Sequence, residues 1–135
     1  MNLLTRDTDY AVRALLYLVK KGGRVASSEM ERNLSLPRPF LRRILQTLQK
    51  GGYLHSVKGN EGGFELLKEP EEIHILDLIK VFQDDFELCD CLFKKKICPD
   101  RKVCPLRKKL KNIESTIKAE FKAITLKSLM EVSGE

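Results

Sequence analysis

Leu36-Pro37-Arg38-Pro39-Phe40-Leu41-Arg42-Arg43-Ile44-Leu45-Gln46-Thr47-Leu48-Gln49-Lys50-Gly51-Gly52 is the stretch that decides the fold. Proline is tolerated only in a helix's first turn, so a helix opens at about Pro39. Phe40, Leu41, Ile44, Leu45 and Leu48 make one apolar stripe, and Arg42, Arg43, Gln46, Gln49 and Lys50 occupy the other side. Gly51-Gly52 ends the run. Arginines near the N-terminus of such a helix, behind a tight turn and another short helix, match a helix-turn-helix. Arginine forks reach guanine edges or phosphates, and this end of the helix enters the major groove first. A core helix with a solvated cationic face would show the same stripe, so the flanking elements decide.

Upstream, Thr5-Arg6-Asp7-Thr8-Asp9 offers a cap and first-turn acids. Ala11, Ala14, Leu15, Leu18 and Val19 then recur at helical spacing until Gly22-Gly23. Ser27 or Ser28 can cap a short second helix through Met30 to about Asn33, followed by a turn at Leu34-Ser35-Leu36. Downstream, Tyr53-Leu54-His55-Ser56-Val57 alternates like a strand, Lys58-Gly59-Asn60-Glu61-Gly62-Gly63 is a glycine-rich turn, and Phe64-Glu65-Leu66-Leu67 returns. A hairpin directly after a recognition helix is a wing, with Lys58 placed for phosphate or the minor groove. Its glycines allow positive φ and close backbone approach to DNA. Ile75 to Phe82 reads as a short buried helix. His55 and His74 have no nucleophile or metal partner beside them and read as structural.

In the tail, Leu106, Leu110, Ile113, Ile117, Phe121 and Ile124 step by 4, 3, 4, 4 and 3, a coiled-coil-like stripe. One helix from Pro105 to about Val132 would run ~40 Å. That is too long to cover its stripe against a small winged domain, so pairing with a second copy is expected. The fold class is therefore mainly α: a winged helix-turn-helix domain with a small β-hairpin wing, plus a long C-terminal dimerisation helix. The expected divisions are residues 1–84 for DNA binding, 85–104 for a cysteine-rich sensor loop, and 105–135 for the dimerisation helix and tail.

At 135 residues, 42% hydrophobic and 33% charged, the composition is that of one soluble domain. No apolar run approaches the ~18 residues of a membrane span. The N-terminus lacks a secretion-type apolar region, so a cytoplasmic location without membrane attachment is expected. Residues 1–70 carry 12 basic and 7 acidic side chains, 71–93 carry 1 and 7, and 94–135 carry 12 and 5, netting +5, −6 and +7. Two basic blocks around an acidic waist suit a phosphate-binding surface.

All four cysteines fall within Cys89-Asp90-Cys91-Leu92-Phe93-Lys94-Lys95-Lys96-Ile97-Cys98-Pro99-Asp100-Arg101-Lys102-Val103-Cys104-Pro105. In a reducing compartment, clustered cysteines bind metal or act in redox chemistry. Paired Cys-x-x-Cys knuckles, the usual structural zinc signature, are absent. Cationic neighbours favour thiolates, and Pro105 as the first residue of the last helix would make Cys104 its N-cap. Thiolates suit zinc, copper(I) or iron–sulfur clusters, so ligand type alone leaves the metal open.

The order Thr8-Asp9-Tyr10-Ala11-Val12-Arg13-Ala14-Leu15, then Leu36-Pro37-Arg38-Pro39-Phe40-Leu41-Arg42-Arg43-Ile44-Leu45, then Ser56-Val57-Lys58-Gly59 with Gly62-Gly63-Phe64, resembles the Rrf-type (IscR/NsrR/CymR-like) family of bacterial winged-helix transcriptional regulators. The likeness continues through Pro70-Glu71-Glu72-Ile73 and the cysteine segment. It implies a homodimer on a palindromic operator in double-stranded DNA, acting as a repressor and meeting RNA polymerase only indirectly at promoters. It implies DNA contacts from Arg38, Arg42, Arg43 and Lys58. It also implies an iron–sulfur cluster, [2Fe–2S] or [4Fe–4S], on Cys91, Cys98 and Cys104, with Cys89 or Asp9 as fourth ligand. Such a site would sense redox state, nitric oxide or iron–sulfur status. The first cysteine gap is longer than in the family's [2Fe–2S] members, and Arg107 stands where those place a histidine ligand.

Two other readings remain open. One is a cluster-free regulator with a zinc or thiol-redox switch at the same cysteines. The other is a thiol redox enzyme, but no cofactor fingerprint or catalytic His/Asp partner accompanies Cys89 and Cys91, so no enzyme activity and no catalytic residue is expected.

Overall fold

The computed structural model describes residues 4–58, 62–83 and 104–133. In chain order they form α1 (Arg6–Lys21), α2 (Ser27–Leu34), α3 (Arg38–Lys50), β1 (Leu54–Val57), β2 (Gly63–Leu66), a 3-10 turn at Pro70–Glu72, α4 (Ile75–Gln83), α5 (Pro105–Ala123) and α6 (Leu126–Ser133). This is the mainly helical, winged helix-turn-helix architecture that the sequence implies.

Helix α1 is the element the others pack on. The Thr5 side chain accepts from the Thr8 N–H at its start, and Asp7 and Asp9 stand in its first turn. Gly22 takes φ 71° at its end, a conformation that costs other residues dearly. Ala11, Ala14, Leu15 and Leu18 are buried, and α3, α4 and α6 all lie against this helix. Leu41, Ile44, Leu45 and Leu48 of α3, Met30 of α2 and Leu78 and Ile79 of α4 complete one continuous core. Each fully buried side chain of that size contributes about 1.5–3 kcal/mol of transfer free energy.

Neither Ser27 nor Ser28 caps α2. Ala26 holds the cap position with no side-chain hydrogen bond. The reason lies one residue earlier, where Val25 exchanges two backbone hydrogen bonds with Phe64 of the wing (2.9 and 2.8 Å). That bridge keeps the chain extended up to Val25, so the first residue able to start the helix is Ala26. The hairpin pairs Leu54 with Leu66, His55 with Glu65, Ser56 with Phe64 and Val57 with Gly63, antiparallel.

The C-terminal helix is not continuous to Val132. It ends at Ala123 and restarts at Leu126. Ile124 is extended (φ −83°, ψ 120°). Its carbonyl accepts from the Ile75 N–H (2.9 Å), and the Leu126 N–H donates to the Ile73 carbonyl (3.0 Å). Thr125 and Ser128 then cap α6 reciprocally, each side-chain oxygen accepting the other's N–H (3.1 and 3.0 Å). Leu126 is fully buried, so α6 returns to the head and packs on α1 and the 3-10 turn. The straight portion, α5, is 19 residues long, or ~28 Å.

Candidate nucleic-acid interface

Burying Leu41, Ile44, Leu45 and Leu48 turns the polar side of α3 outward. Arg38, Arg42, Gln46 and Gln49 lie on one edge of that side at i, i+4, i+8 and i+11. With Ser27 and Glu31 of α2 and Ser56 and Phe64 of the wing they line a groove of about 220 Å³. The Arg38 Nε lies 3.4 Å from a Glu31 carboxylate oxygen, while three-quarters of the arginine side chain stays exposed. Arg42 is exposed and makes no ion pair among the described residues. The Gln49 amide donates to the Ser56 hydroxyl (3.3 Å), tying the recognition helix to the wing. Lys58 is exposed just past β1, and the turn residues 59–61 that follow lie outside the described residues.

Arg43 points elsewhere. Its Nη2 donates to both carboxylate oxygens of Asp7 (2.9 and 3.1 Å), and its guanidinium lies 5.1 Å from the Phe40 ring centroid. The structure thus groups Arg38 and Arg42 in the groove and sets Arg43 on the opposite edge of α3, against α1. It also adds Gln46 and Gln49, which the sequence presents only as polar residues, and Ser27, which it presents as a helix cap. The spacing from Arg42 to Gln46 and Gln49 (i+4 and i+7) was the available signal, and glutamine pairs well with adenine edges.

Of the thiols, Cys104 is described. It is the N-cap of α5, partly exposed, with no side-chain capping bond and no disulfide. Cys89, Cys91 and Cys98 lie outside the described residues. Asp9 is held by Arg13 one turn along α1 (3.1 Å). Among the described residues, no group of three or more His, Cys, Asp or Glu is gathered to hold a metal. His55 pairs with Glu65 across the hairpin, and the His74 Nδ1 meets the Lys122 carbonyl at 2.7 Å, so each histidine has a structural partner. Burial pushes the Tyr53 hydroxyl above the ordinary tyrosine value, with the Asp77 charge adding to it.

The family model for Rrf2, described as an iron-dependent transcriptional regulator, matches residues 4–132. An HTH-type transcriptional regulator assigned in Aquifex aeolicus is 36% identical over 91% of this chain and 88% of its own length. NsrR of Halalkalibacterium halodurans is 32% identical over 98% of this chain and 92% of its own. Among solved structures, Bacillus subtilis CymR, the global cysteine regulator, superposes with a TM-score of 0.80 at 22% identity, covering 98% of each chain. IscR of T. potens superposes at 0.77 and 22% identity, covering 98% of this chain and 88% of that one. No helix among the described residues is long and apolar enough to cross a membrane. A groove-lining arginine helix, a wing behind it and a family match over nearly the whole length lead to one conclusion: the chain belongs to the Rrf2 family and is a DNA-binding transcriptional regulator, not an enzyme.

Proposed function

We propose that the protein is a homodimeric, cytoplasmic repressor that reads a two-fold symmetric operator and whose grip on it is set at the cysteine segment. The observation that carries the DNA reading is the groove holding Arg38, Arg42, Gln46 and Gln49 between α2, α3 and the wing. Arg42 and the two glutamines would read base edges, while Arg38 and Lys58 would hold phosphates. Arg43, held by Asp7, lies away from this groove.

Dimerisation is supported by the two faces of α5. One face carries Glu114, only 5% exposed, between Lys111 (3.5 Å) and Lys118 (3.2 Å), together with half-buried Phe121 packed on the core. Leu106, Leu110, Ile113 and Ile117 centre about 60° around the helix from Glu114 and Phe121, at ~100° per residue, continuing the stripe of Phe121 along its outer edge. Leu106 is 66% and Ile113 50% exposed. An apolar stripe beside, rather than on, the face that packs inward suits a second copy of the same helix.

At the cysteines, the residues present fit an iron–sulfur cluster. Cys104 offers an uncommitted sulfur at the start of α5, and Cys91 and Cys98 would complete three ligands. Cys89 stands ahead of Asp9 as the fourth, because Asp9 would first have to leave Arg13. A bound cluster supplies iron that reacts with oxidants or nitric oxide. The chain's part is to couple the loop to the reading heads, and a hundredfold change in operator affinity requires only ~2.7 kcal/mol of coupling.

The test is absorption and metal analysis of protein purified without oxygen. Brown protein with sulfur-to-iron bands, bleached by Cys98→Ala, supports the reading. Colourless protein containing zinc overturns it in favour of a zinc or thiol switch.

A further inference from the structure

Two hydrogen-bonded contacts meet on the first turn of α1, and neither is explained by DNA contact or by core packing. On one side, Asp7 holds the Arg43 guanidinium of α3 through both carboxylate oxygens. On the other, the Gln83 Oε1 accepts from the Thr5 N–H (3.0 Å) and from the hydroxyl of fully buried Thr8 (3.0 Å). In a capping box the third residue of the helix returns a side chain to the cap's own N–H. Here that residue is Thr8, whose side chain is too short, and Gln83, 75 residues away, supplies the missing acceptor. Gln83 is the last residue of α4, and Cys89, the first cysteine, follows six residues later in the sequence.

We infer that Arg43 is a positioning residue rather than a DNA contact, and that Gln83, Thr8, Thr5, Asp7 and Arg43 form a relay from the base of the cysteine segment to the recognition helix. The regulatory half of this inference rests on the proposed cysteine control; the positioning half does not. The first turn of α1 is the shared part. Its cap and its buried hydroxyl depend on where the end of α4 stands, and its Asp7 fixes the angle at which α3 presents Arg42 and Gln46. A displacement of Gln83 therefore loosens the cap, and with it the anchor of α3. The relay works through a discrete set of contacts that are either made or broken, which is what coupling between sites requires.

The experiment uses the full-length chain and a DNA duplex enriched by the wild-type protein from a random pool. Arg43→Ala, Asp7→Ala and the double variant are compared by fluorescence anisotropy across salt concentrations. Positioning predicts that both single variants lose roughly 2- to 30-fold in affinity. It also predicts that the double variant loses no more than either, and that the slope against salt is unchanged. A salt slope reduced by about 1 in Arg43→Ala, with Asp7→Ala binding as well as or better than wild type, would make Arg43 a phosphate contact and overturn the proposal.

For the relay, affinity is measured before and after alkylating the cysteines with iodoacetamide. The ratio seen in the wild type should collapse toward one in Gln83→Leu and persist in Gln83→Glu, which keeps both acceptor bonds. A Gln83→Leu ratio equal to wild type overturns the relay. If Gln83→Leu fails to fold, the paired Thr8→Val/Gln83→Leu variant, which removes the buried Thr8 hydroxyl as well, takes its place. If the wild-type ratio itself is one, cysteine control and the relay's regulatory half both fall, while the salt slopes still decide the role of Arg43.

Discussion

Gly63 on the wing lies so close to Val25 that a Cβ on Gly63 would come within 2.3 Å of the Val25 carbonyl oxygen. The obstacle is backbone, held in place by the two hydrogen bonds between Val25 and Phe64, so neither side can yield cheaply. Gly63→Ala should therefore lower stability by about 1–3 kcal/mol, as overpacking does. It should also displace the wing and weaken operator binding. A denaturant midpoint equal to wild type would show that the wing is not fastened there.

Arg42→Ala should weaken binding to an enriched duplex by ~1–3 kcal/mol, and random duplex much less, if the guanidinium reads a base. Gln49→Ala should do less, since its amide is already shared with Ser56. Competition titrations with the two DNAs check both. Equal losses on specific and random DNA would make Arg42 a phosphate contact.

How much of this was legible depends on the range of the interaction involved. The stripe of α3, the Thr5 cap and Cys104 at the head of α5 are local patterns, and the chain folds as they imply. The break at Ile124 was not legible, because Ile124 keeps step with the apolar stripe. The contacts that extend it come from Ile73 and Ile75, some fifty residues away. The glycine-rich turn implies freedom of φ and approach to DNA, whereas at Gly63 the close neighbour is the chain's own Val25. Arg43 looked like Arg42 in sequence, and only the third dimension sets it against Asp7. What the sequence hid is what distant segments impose on one another.

The return of α6 can be weighed directly. Leu126 is fully buried, so Leu126→Ala should cost about 2–5 kcal/mol. Ser128→Ala removes one half of the reciprocal cap and should cost roughly 0.5–2 kcal/mol. Thermal unfolding of the two variants measures this; a Leu126→Ala protein as stable as wild type would mean that α6 does not seat in the core.

Stability should also fall at high pH. The folded-state value of Tyr53 lies above the ordinary 10.0, so folding favours the protonated hydroxyl. That contribution is whole below pH 10 and is lost as pH rises through the raised value. Tyr53→Phe should flatten the alkaline limb of the stability–pH curve. An alkaline limb unchanged in Tyr53→Phe would assign it to other groups.

The exposed stripe of α5 gives the sharpest test of assembly. Ile113 is half exposed on a helix already rich in lysine and arginine, so Ile113→Lys adds like charge without emptying the core. If two copies pair through this stripe, the variant should sediment as a monomer while keeping its helical content. Losing the second reading head removes the gain from simultaneous engagement of two half-sites, so apparent operator affinity should fall by a factor on the order of 10²–10⁴. Binding to a single half-site should change little, because α3 and the wing are untouched. An Ile113→Lys protein that keeps the wild-type mass at micromolar concentration would put the pairing surface elsewhere.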